Sequence, residues 1–425
     1  MDFEKFLTDP ENFGDDIRQM IHKALLTTIK GDFSVHKDYP VYCTKQKYRQ
    51  STMTDGLPIL IPHIPDVILS WAGIEDKTIT HDDLLILDLE TTGLRRGGGM
   101  LAFMIGIGYY ENDSFYVEQY FLPEPDAEFN AFDLILPHLE KKAVLVTFNG
   151  KTFDLPVLES RFLHNQLWVD LRSKMHVDLL HLARRLWKKK VPSCALETLE
   201  YYILGHIRDK EMDIEGSIIP QTYFQFLING DPELLKRIFI HNQTDVLHTA
   251  ALFAMICEQI DYPLPVDRDI RIDYHAVGKL YQSQGRLDEA KHILTALADE
   301  NYLTPELVYD LGLMHKKDKR WPEAEEFFRQ GWDLQHHPSM QELIIILEQK
   351  NKDFAQALMI AEALSFNLLA DPYGNEKKLI DLEKRIARLK NKMEKPIKEK
   401  ITKRKKELDS RLREDDKQTK AETES

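Results

Sequence analysis

Cysteine is scarce in this chain: Cys43, Cys194 and Cys257 are the only three in 425 residues, and no two are spaced as Cys-x-x-Cys. That spacing excludes both a disulfide framework and a zinc knuckle. Long apolar runs are lacking too. No stretch approaches the roughly 20 consecutive apolar residues of a membrane helix. The acidic opening Met1-Asp2-Phe3-Glu4 has no basic flank leading into a signal core. The expectation is a chain without membrane contact, placed in the cytoplasm. Positive charge is in deficit as well, with 56 Lys and Arg against 70 Asp and Glu and a net charge of −14. Binding a polyanion over the whole surface is therefore disfavoured, because phosphate contacts need Lys and Arg. The deficit is uneven, since twelve Lys or Arg between Lys384 and Lys406 face only Glu394 and Glu399.

The length allows two or three domains, each with its own core. Residues 1–80 form an N-terminal extension with turn signals such as Asp55-Gly56 and no chemistry of their own. From Leu84 the run Leu-Leu-Ile-Leu-Asp88-Leu-Glu90 predicts a buried strand, closed by the turn Thr91-Thr92-Gly93. The runs Met100–Tyr110 and Ser114–Leu122 predict two strands joined as a hairpin across Glu111-Asn112-Asp113. A helix over Glu128–Lys141 and a strand over Ala143–Phe148 follow. This order predicts an α/β domain over residues 81–262, a mixed sheet flanked by helices. Its last helix starts at Asp231-Pro232-Glu233, an Asp cap with Pro at the first helical position, and carries Asp245.

Beyond Pro265 the pattern changes. Gly278 and Gly312, and likewise Ala290 and Ala324, are 34 residues apart, the tetratricopeptide period. An all-α tetratricopeptide-like segment is predicted over 268–370, with a charged tail over 371–425 that is either a solvated helix or disordered.

The chemistry concentrates on carboxylates. Asp88 and Glu90 are two apart on a strand, so both leave one face at the end of a run otherwise suited to a core. Two buried acids without partners are costly, and a divalent cation supplies the missing charge. The string Asp88-Leu-Glu90-Thr-Thr-Gly-Leu94 resembles the first motif of the DnaQ-like, ribonuclease H-like exonucleases, the group named DEDD for four acids. Asn149-Gly-Lys-Thr-Phe153-Asp154 is similar to that group's second motif, with one extra residue, and His241-Asn-Gln-Thr-Asp245 to its third. The chain further resembles the YprB-like subgroup through Asp178-Leu-Leu-His181, Ala183-Arg-Arg-Leu-Trp187, Leu196-Glu-Thr-Leu199-Glu200 and Gly216 with Ile219-Pro220. Some members of that subgroup carry tetratricopeptide repeats after the nuclease domain.

This resemblance implies a ribonuclease H-like fold and a metal-dependent nuclease, a 3′–5′ exonuclease acting on DNA in repair or processing. It implies two Mg²⁺ or Mn²⁺ ions held by Asp88, Glu90, Asp154 and Asp245. Asp88 would bridge them, Glu90 and Asp245 would complete one site, and Asp154 would hold the other. Oxygen ligands suit these hard cations. The chain departs from the better-known branches, which place His five residues, or Tyr four, before the last acid. Here His241 stands four residues before Asp245, one helical turn, so both side chains reach one site and an imidazole there suits a general base.

Thr91 and Asn149 are the substrate contacts implied by the motifs. Arg95-Arg96-Gly97-Gly98-Gly99 reads as a phosphate-meeting loop or as a plain surface loop. Arg184, Arg185 and Lys188–Lys190 read as a phosphate track or a solvated face, and Asp178 as a further acid or a helix cap. The partners expected are nucleic acid, DNA before RNA, and through the repeats a protein such as a helicase. The alternatives are a tetratricopeptide adaptor with a silent or structure-selective endonuclease domain, or an exonuclease directed to RNA.

Overall fold

The computed structural model describes residues 14–49, 59–93, 100–209, 211–265, 269, 271–299 and 303–423, without the side chains of 234, 395–400 and 408–423. Arg95 and Arg96 lie outside the described residues. The chain divides into two compact units, Met1–Ala290 and Lys291–Ser425.

The first unit is built on a seven-stranded sheet. In chain order its elements begin with α1 (Asp15–Thr28), β1 (Asp32–Phe33), β2 (Tyr42–Arg49) and α2 (Asp66–Trp71). The strands β3 (Leu84–Thr91), β4 (Ala102–Glu111) and β5 (Ser114–Phe121) follow, then α3 (Glu128–Lys141), β6 (Val144–Thr147), α4 (Asp154–His164) and β7 (Met175–Asp178). Next come α5 (Leu179–Trp187), a short α6 (Leu196–Leu199) running into a π turn over Glu200–Leu204, α7 (Ile219–Asn229), α8 (Pro232–Ile260) and α9 (Tyr274–Ser283).

Spatial order in the sheet is β1-β2-β5-β4-β3-β6-β7. β3 is an interior strand, antiparallel to β4 and parallel to β6, and β6 is parallel to β7. The sheet is thus mixed, as the sequence predicts. The turn between β4 and β5 places Asn112 and Asp113 at positive φ, the geometry whose twist suits a two-residue hairpin. The two parallel pairings need crossovers, supplied by the α3 and α4 connections. Residues before 80 are more than an appendage to this sheet: β2 pairs along its whole length with β5, from Tyr42 opposite Phe121 to Arg49 opposite Ser114.

Why β3 sits inside the sheet is visible in its burial. Every residue from Leu84 to Thr91 is buried except Asp88 and Glu90, which are partly exposed. Helices cover the sheet through one continuous core, where Phe103 stacks on Tyr223 of α7 at 3.9 Å. Tyr223 is fully buried, and its hydroxyl donates to the Leu122 carbonyl at 3.1 Å, meeting the usual need of a buried phenol for a partner. α8 begins where the sequence places it: the Asp231 carboxylate accepts from the Glu233 amide, and Pro232 opens the helix.

The second unit is helical. Within it lie α11 (Pro305–Lys317), α12 (Trp321–Asp333), α13 (His337–Ile346), α14 (Phe354–Leu368) and α15 (Glu376–Thr423), while the preceding α10 (Leu287–Asp299) contains the break between units. The small residues picked out by the 34-residue spacing sit at tight crossings. A Cβ on Gly312 would come within 2.5 Å of the Phe328 ring, and Ala324 is fully buried. Residues 376–423 of the charged tail form a helix, tied to this unit where Arg388 and Lys392 donate to the buried Glu348 carboxylate at 2.8–2.9 Å. No helix among the described residues is long and apolar enough to cross a membrane.

Candidate active site

Three elements bring the four acids together: β3 carries Asp88 and Glu90, Asp154 opens α4 just after the β6 turn, and Asp245 lies midway along α8. Their mutual field shows in their acidity. Burial raises the Asp88 carboxyl, and the charge of Asp245 raises it further. Glu90 is pushed well up by burial and then by Asp88, Asp245 and Asp154. Asp154 is likewise held well up by burial, Asp88 and Asp178. For Asp245, burial outweighs the opposing pull of His241 and Arg208. For all four, burial and neighbouring carboxylates outweigh the positive charge that reaches them. Among the described residues no three His, Cys, Asp or Glu side chains stand close enough to form a ready-made metal cage. The donor set nevertheless fits hard divalent cations: all four are carboxylates, sharing one field that makes each a weaker acid than usual.

Asp88 is aimed by a buried relay. The amide of Asn242, fully buried on α8, donates to Asp88 Oδ2 at 2.8 Å. The Asn242 carbonyl oxygen accepts from Gln119 on β5 at 2.9 Å, and the Gln119 carbonyl accepts from the Thr44 hydroxyl on β2 at 2.9 Å. The N-terminal strands therefore reach the site through hydrogen bonds. The relay needs a glycine. Gly106 stands opposite Asp88 on β4, and a Cβ there would fall 2.2 Å from Asn242 Oδ1. Gly106→Ala should displace Asn242, release Asp88, and cost about 1–3 kcal/mol of stability. A urea denaturation curve together with the rate of nucleic-acid hydrolysis checks this, and a variant matching wild type in both would contradict it.

The turn after β6 has its own geometry. Asn149 adopts φ +71°, and a Cβ on Gly150 would meet the Thr147 hydroxyl at 2.4 Å, so the Asn-Gly pair is what this turn requires. Asp178 is fully buried and caps α5 through the Leu180 amide at 3.1 Å. It also accepts from the amides of Asn149 and Lys151, each at 3.0 Å. Asp178 thus fixes the loop that delivers Asp154. Asn149 itself accepts from the Thr152 hydroxyl through its side chain at 2.6 Å. Thr91 is buried, its hydroxyl donating to the Gly93 carbonyl at 3.1 Å, which serves the turn after β3. Beside the start of α4 opens a cleft of about 580 Å³ whose wall includes Lys151, Arg172, Ser173 and Lys174. Burial lowers the Lys174 ammonium, whose hydrogen bond runs to the Lys142 carbonyl at 2.7 Å. Arg184, Arg185 and Lys188–Lys190 are exposed on and just after α5.

His241 faces the site from α8, one turn before Asp245. Its Nδ1 donates to Asp213 Oδ1 at 2.8 Å, which leaves Nε2 toward Asp245 Oδ2 at 3.7 Å. Burial lowers the imidazole, but the Asp213 bond and the charges of Asp245 and Glu90 outweigh it and hold it at about 9. The Asp213 carboxylate is held down at about 2, because its bond to His241 overcomes burial. Asp213 went unmarked in the sequence, as did Arg208, whose guanidinium reaches Asp245 at 2.5 Å and Glu200 at 2.5 Å. No periodic signal marks either residue, because both lie in the irregular stretch between the π turn and α7.

Acids placed by an interior strand, by the helix after the next parallel strand and by a late helix define a ribonuclease H-like domain. Residues 85–257 match the RNase_H superfamily, an interval that holds all four acids and His241. The YprB protein of Bacillus subtilis (strain 168) is 33% identical over 344 residues, which take in 77% of this chain and 81% of YprB, and the chain belongs to the YprB family. Among solved structures, the family B DNA polymerase from the hyperthermophilic archaeon Pyrobaculum calidifontis is similar over 64% of this chain, with 13% identity and a TM-score of 0.33. This chain spans 36% of that polymerase. The RNase H-like fold supports a nuclease.

Proposed function

We propose that the protein is a metal-dependent nuclease that hydrolyses phosphodiester bonds, working as a 3′–5′ exonuclease on DNA. The observation that carries this reading is the convergence of Asp88, Glu90, Asp154 and Asp245 into a single field in which burial and neighbouring carboxylates raise every carboxyl, Asp245 even though it pairs with Arg208. Asp88, Glu90 and Asp245 would hold one divalent cation, and Asp88 with Asp154 a second, Mg²⁺ or Mn²⁺ by the hardness of the donors. Such cations supply a nucleophile at neutral pH and neutralise charge on the attacking and leaving oxygens.

The chain's own residues do the rest. Asn242 aims Asp88, and Asp178 anchors the loop ahead of Asp154. His241, oriented by Asp213 through Nδ1, presents Nε2 to the site; cations on Glu90 and Asp245 would offset the charges that help hold the ring at about 9, and the neutral imidazole would then take the proton of the attacking water as general base. Lys151, Arg172 and Lys174 along the neighbouring cleft would meet strand phosphates, and Asn149 would touch the terminal nucleotide. Arg95 and Arg96, which follow β3 in sequence, would add phosphate contacts. The helices of the second unit, with tetratricopeptide-like spacing, would recruit a protein such as a helicase that supplies unpaired ends.

End-labelled single-stranded, duplex and gapped DNA, with RNA in parallel, test this in Mn²⁺. The expected result is stepwise release of mononucleotides from the DNA 3′ end. Internal cuts would favour a structure-selective endonuclease, and faster loss of RNA would reassign the substrate. No difference between wild type and Asp88→Asn would overturn the nuclease reading.

A further inference from the structure

Arg208 has five polar contacts, and all run to groups at or behind the carboxylates. Its side chain is 10% exposed. Nε and Nη2 grip the two oxygens of Glu200, each at 2.5 Å. Nη1 donates to Asp213 Oδ2 at 3.1 Å and lies 3.1 Å from His241 Nδ1. Nη2 also donates to Asp245 Oδ1 at 2.5 Å. Glu200 is fully buried, and its second neighbour is His248 Nδ1 at 2.9 Å. His241, Asp245 and His248 follow one another at spacings of four and three along α8, so they share one face of that helix. Glu200, Arg208 and Asp213 thus lie along this face, with Arg208 as the clasp that joins them.

We propose that Arg208 is a positioning residue that holds Asp245 and the Asp213–His241 pair in the arrangement the cations require, an inference resting on the nuclease reading above. The guanidinium takes Asp245 Oδ1 alone, so Oδ2, the oxygen on the His241 side, stays open to a cation. Glu200 holds the guanidinium from behind with a two-point grip, fixing its plane as well as its position. That plane points one edge at Asp245 and the other at Asp213, so a single group sets the metal ligand and the partner of the general base together. Lysine cannot replace it, since one ammonium has neither the fork nor the plane. Partners of this outer kind typically change metal affinity or activity about 10- to 100-fold.

Calorimetric titration of Mn²⁺ into the full chain tests this with no turnover needed, followed by kinetics on single-stranded DNA. Arg208→Gln and Arg208→Lys should each bind Mn²⁺ about 10- to 100-fold more weakly. Their kcat should fall at saturating Mn²⁺ while KM for DNA stays unchanged. Glu200→Gln, which keeps the Arg208–Asp245 contact and loosens its anchor, should move both quantities the same way by less. Wild-type Mn²⁺ affinity in the Arg208 variants would overturn the inference. If those variants do not fold, wild-type affinity in Glu200→Gln would do so. Asp88→Asn separates the two ideas. Mn²⁺ binding that Asp88→Asn abolishes but Arg208→Lys leaves intact would sink the inference alone, whereas wild-type protein that binds no Mn²⁺ would sink the nuclease reading and the inference together.

Discussion

Asp88→Asn should lower the rate of phosphodiester hydrolysis roughly 1000-fold or more, about 4 kcal/mol of transition-state stabilisation, and at the same time raise the melting temperature of the metal-free protein. The first effect follows from the place of Asp88 at the middle of the four acids, where it affects both Glu90 and Asp154. The second follows from charge. A buried acid held above its ordinary range binds more protons folded than unfolded, so it lowers stability as pH rises from the ordinary carboxylate range toward the folded value. Asp88, Glu90, Asp154 and Asp245 all shift in this direction. His241, held at about 9, contributes stability that is complete below its ordinary value of 6.5 and lost as pH rises to about 9. Glu200 and Asp213, held down at about 2, contribute stability that is fully present over the same interval. Melting in chelator should therefore fall between pH 5 and pH 9, more shallowly in Asp88→Asn. Added Mn²⁺ should stabilise wild type most at the high end. A flat profile in chelator, or an Asp88→Asn protein that melts below wild type throughout, would contradict this.

His241→Ala should lose about 10²- to 10⁴-fold in rate near neutral pH, the usual range for a general base, while still binding Mn²⁺. Asp213 gives the finer test. Its bond to Nδ1 holds the proton on the ring, so Asp213→Asn should move the acid limb of the pH–rate profile to lower pH as well as reduce the rate. The bond also fixes which nitrogen faces the site. A pH–rate profile for Asp213→Asn with the wild-type limb would mean that His241 serves only to pack α8. Loss of Mn²⁺ binding in His241→Ala would make it a ligand instead of a base.

The parts of this site that can be read in the sequence are those on regular elements. Asp88 and Glu90 stand out because β3 is apolar everywhere else, and Asp154 because Asn149-Gly-Lys-Thr-Phe153-Asp154 resembles a nuclease motif and directly follows a strand. His241 and Asp245 stand out because four residues is one helical turn. What escapes the sequence is set by tertiary contact. β2 carries the alternation Tyr-Cys-Thr-Lys-Gln-Lys-Tyr-Arg, too polar to announce a strand, and its register comes from β5, 65 to 79 residues away. Arg208 and Asp213 follow no period, and their meeting with Glu200, which the sequence shows only as the end of the Leu196–Glu200 motif, is made by tertiary contacts alone. Gly106 looks like one more small residue in a strand until Asn242 is seen against it.

The convergence of four acids onto a pair of cations is tested most directly by diffraction at the manganese edge from crystals grown in Mn²⁺. Two anomalous peaks about 4 Å apart are expected, with Asp88 between them, Glu90 and Asp245 on one and Asp154 on the other. Crystals that hold Mn²⁺ elsewhere and show no peak among these carboxylates would contradict it.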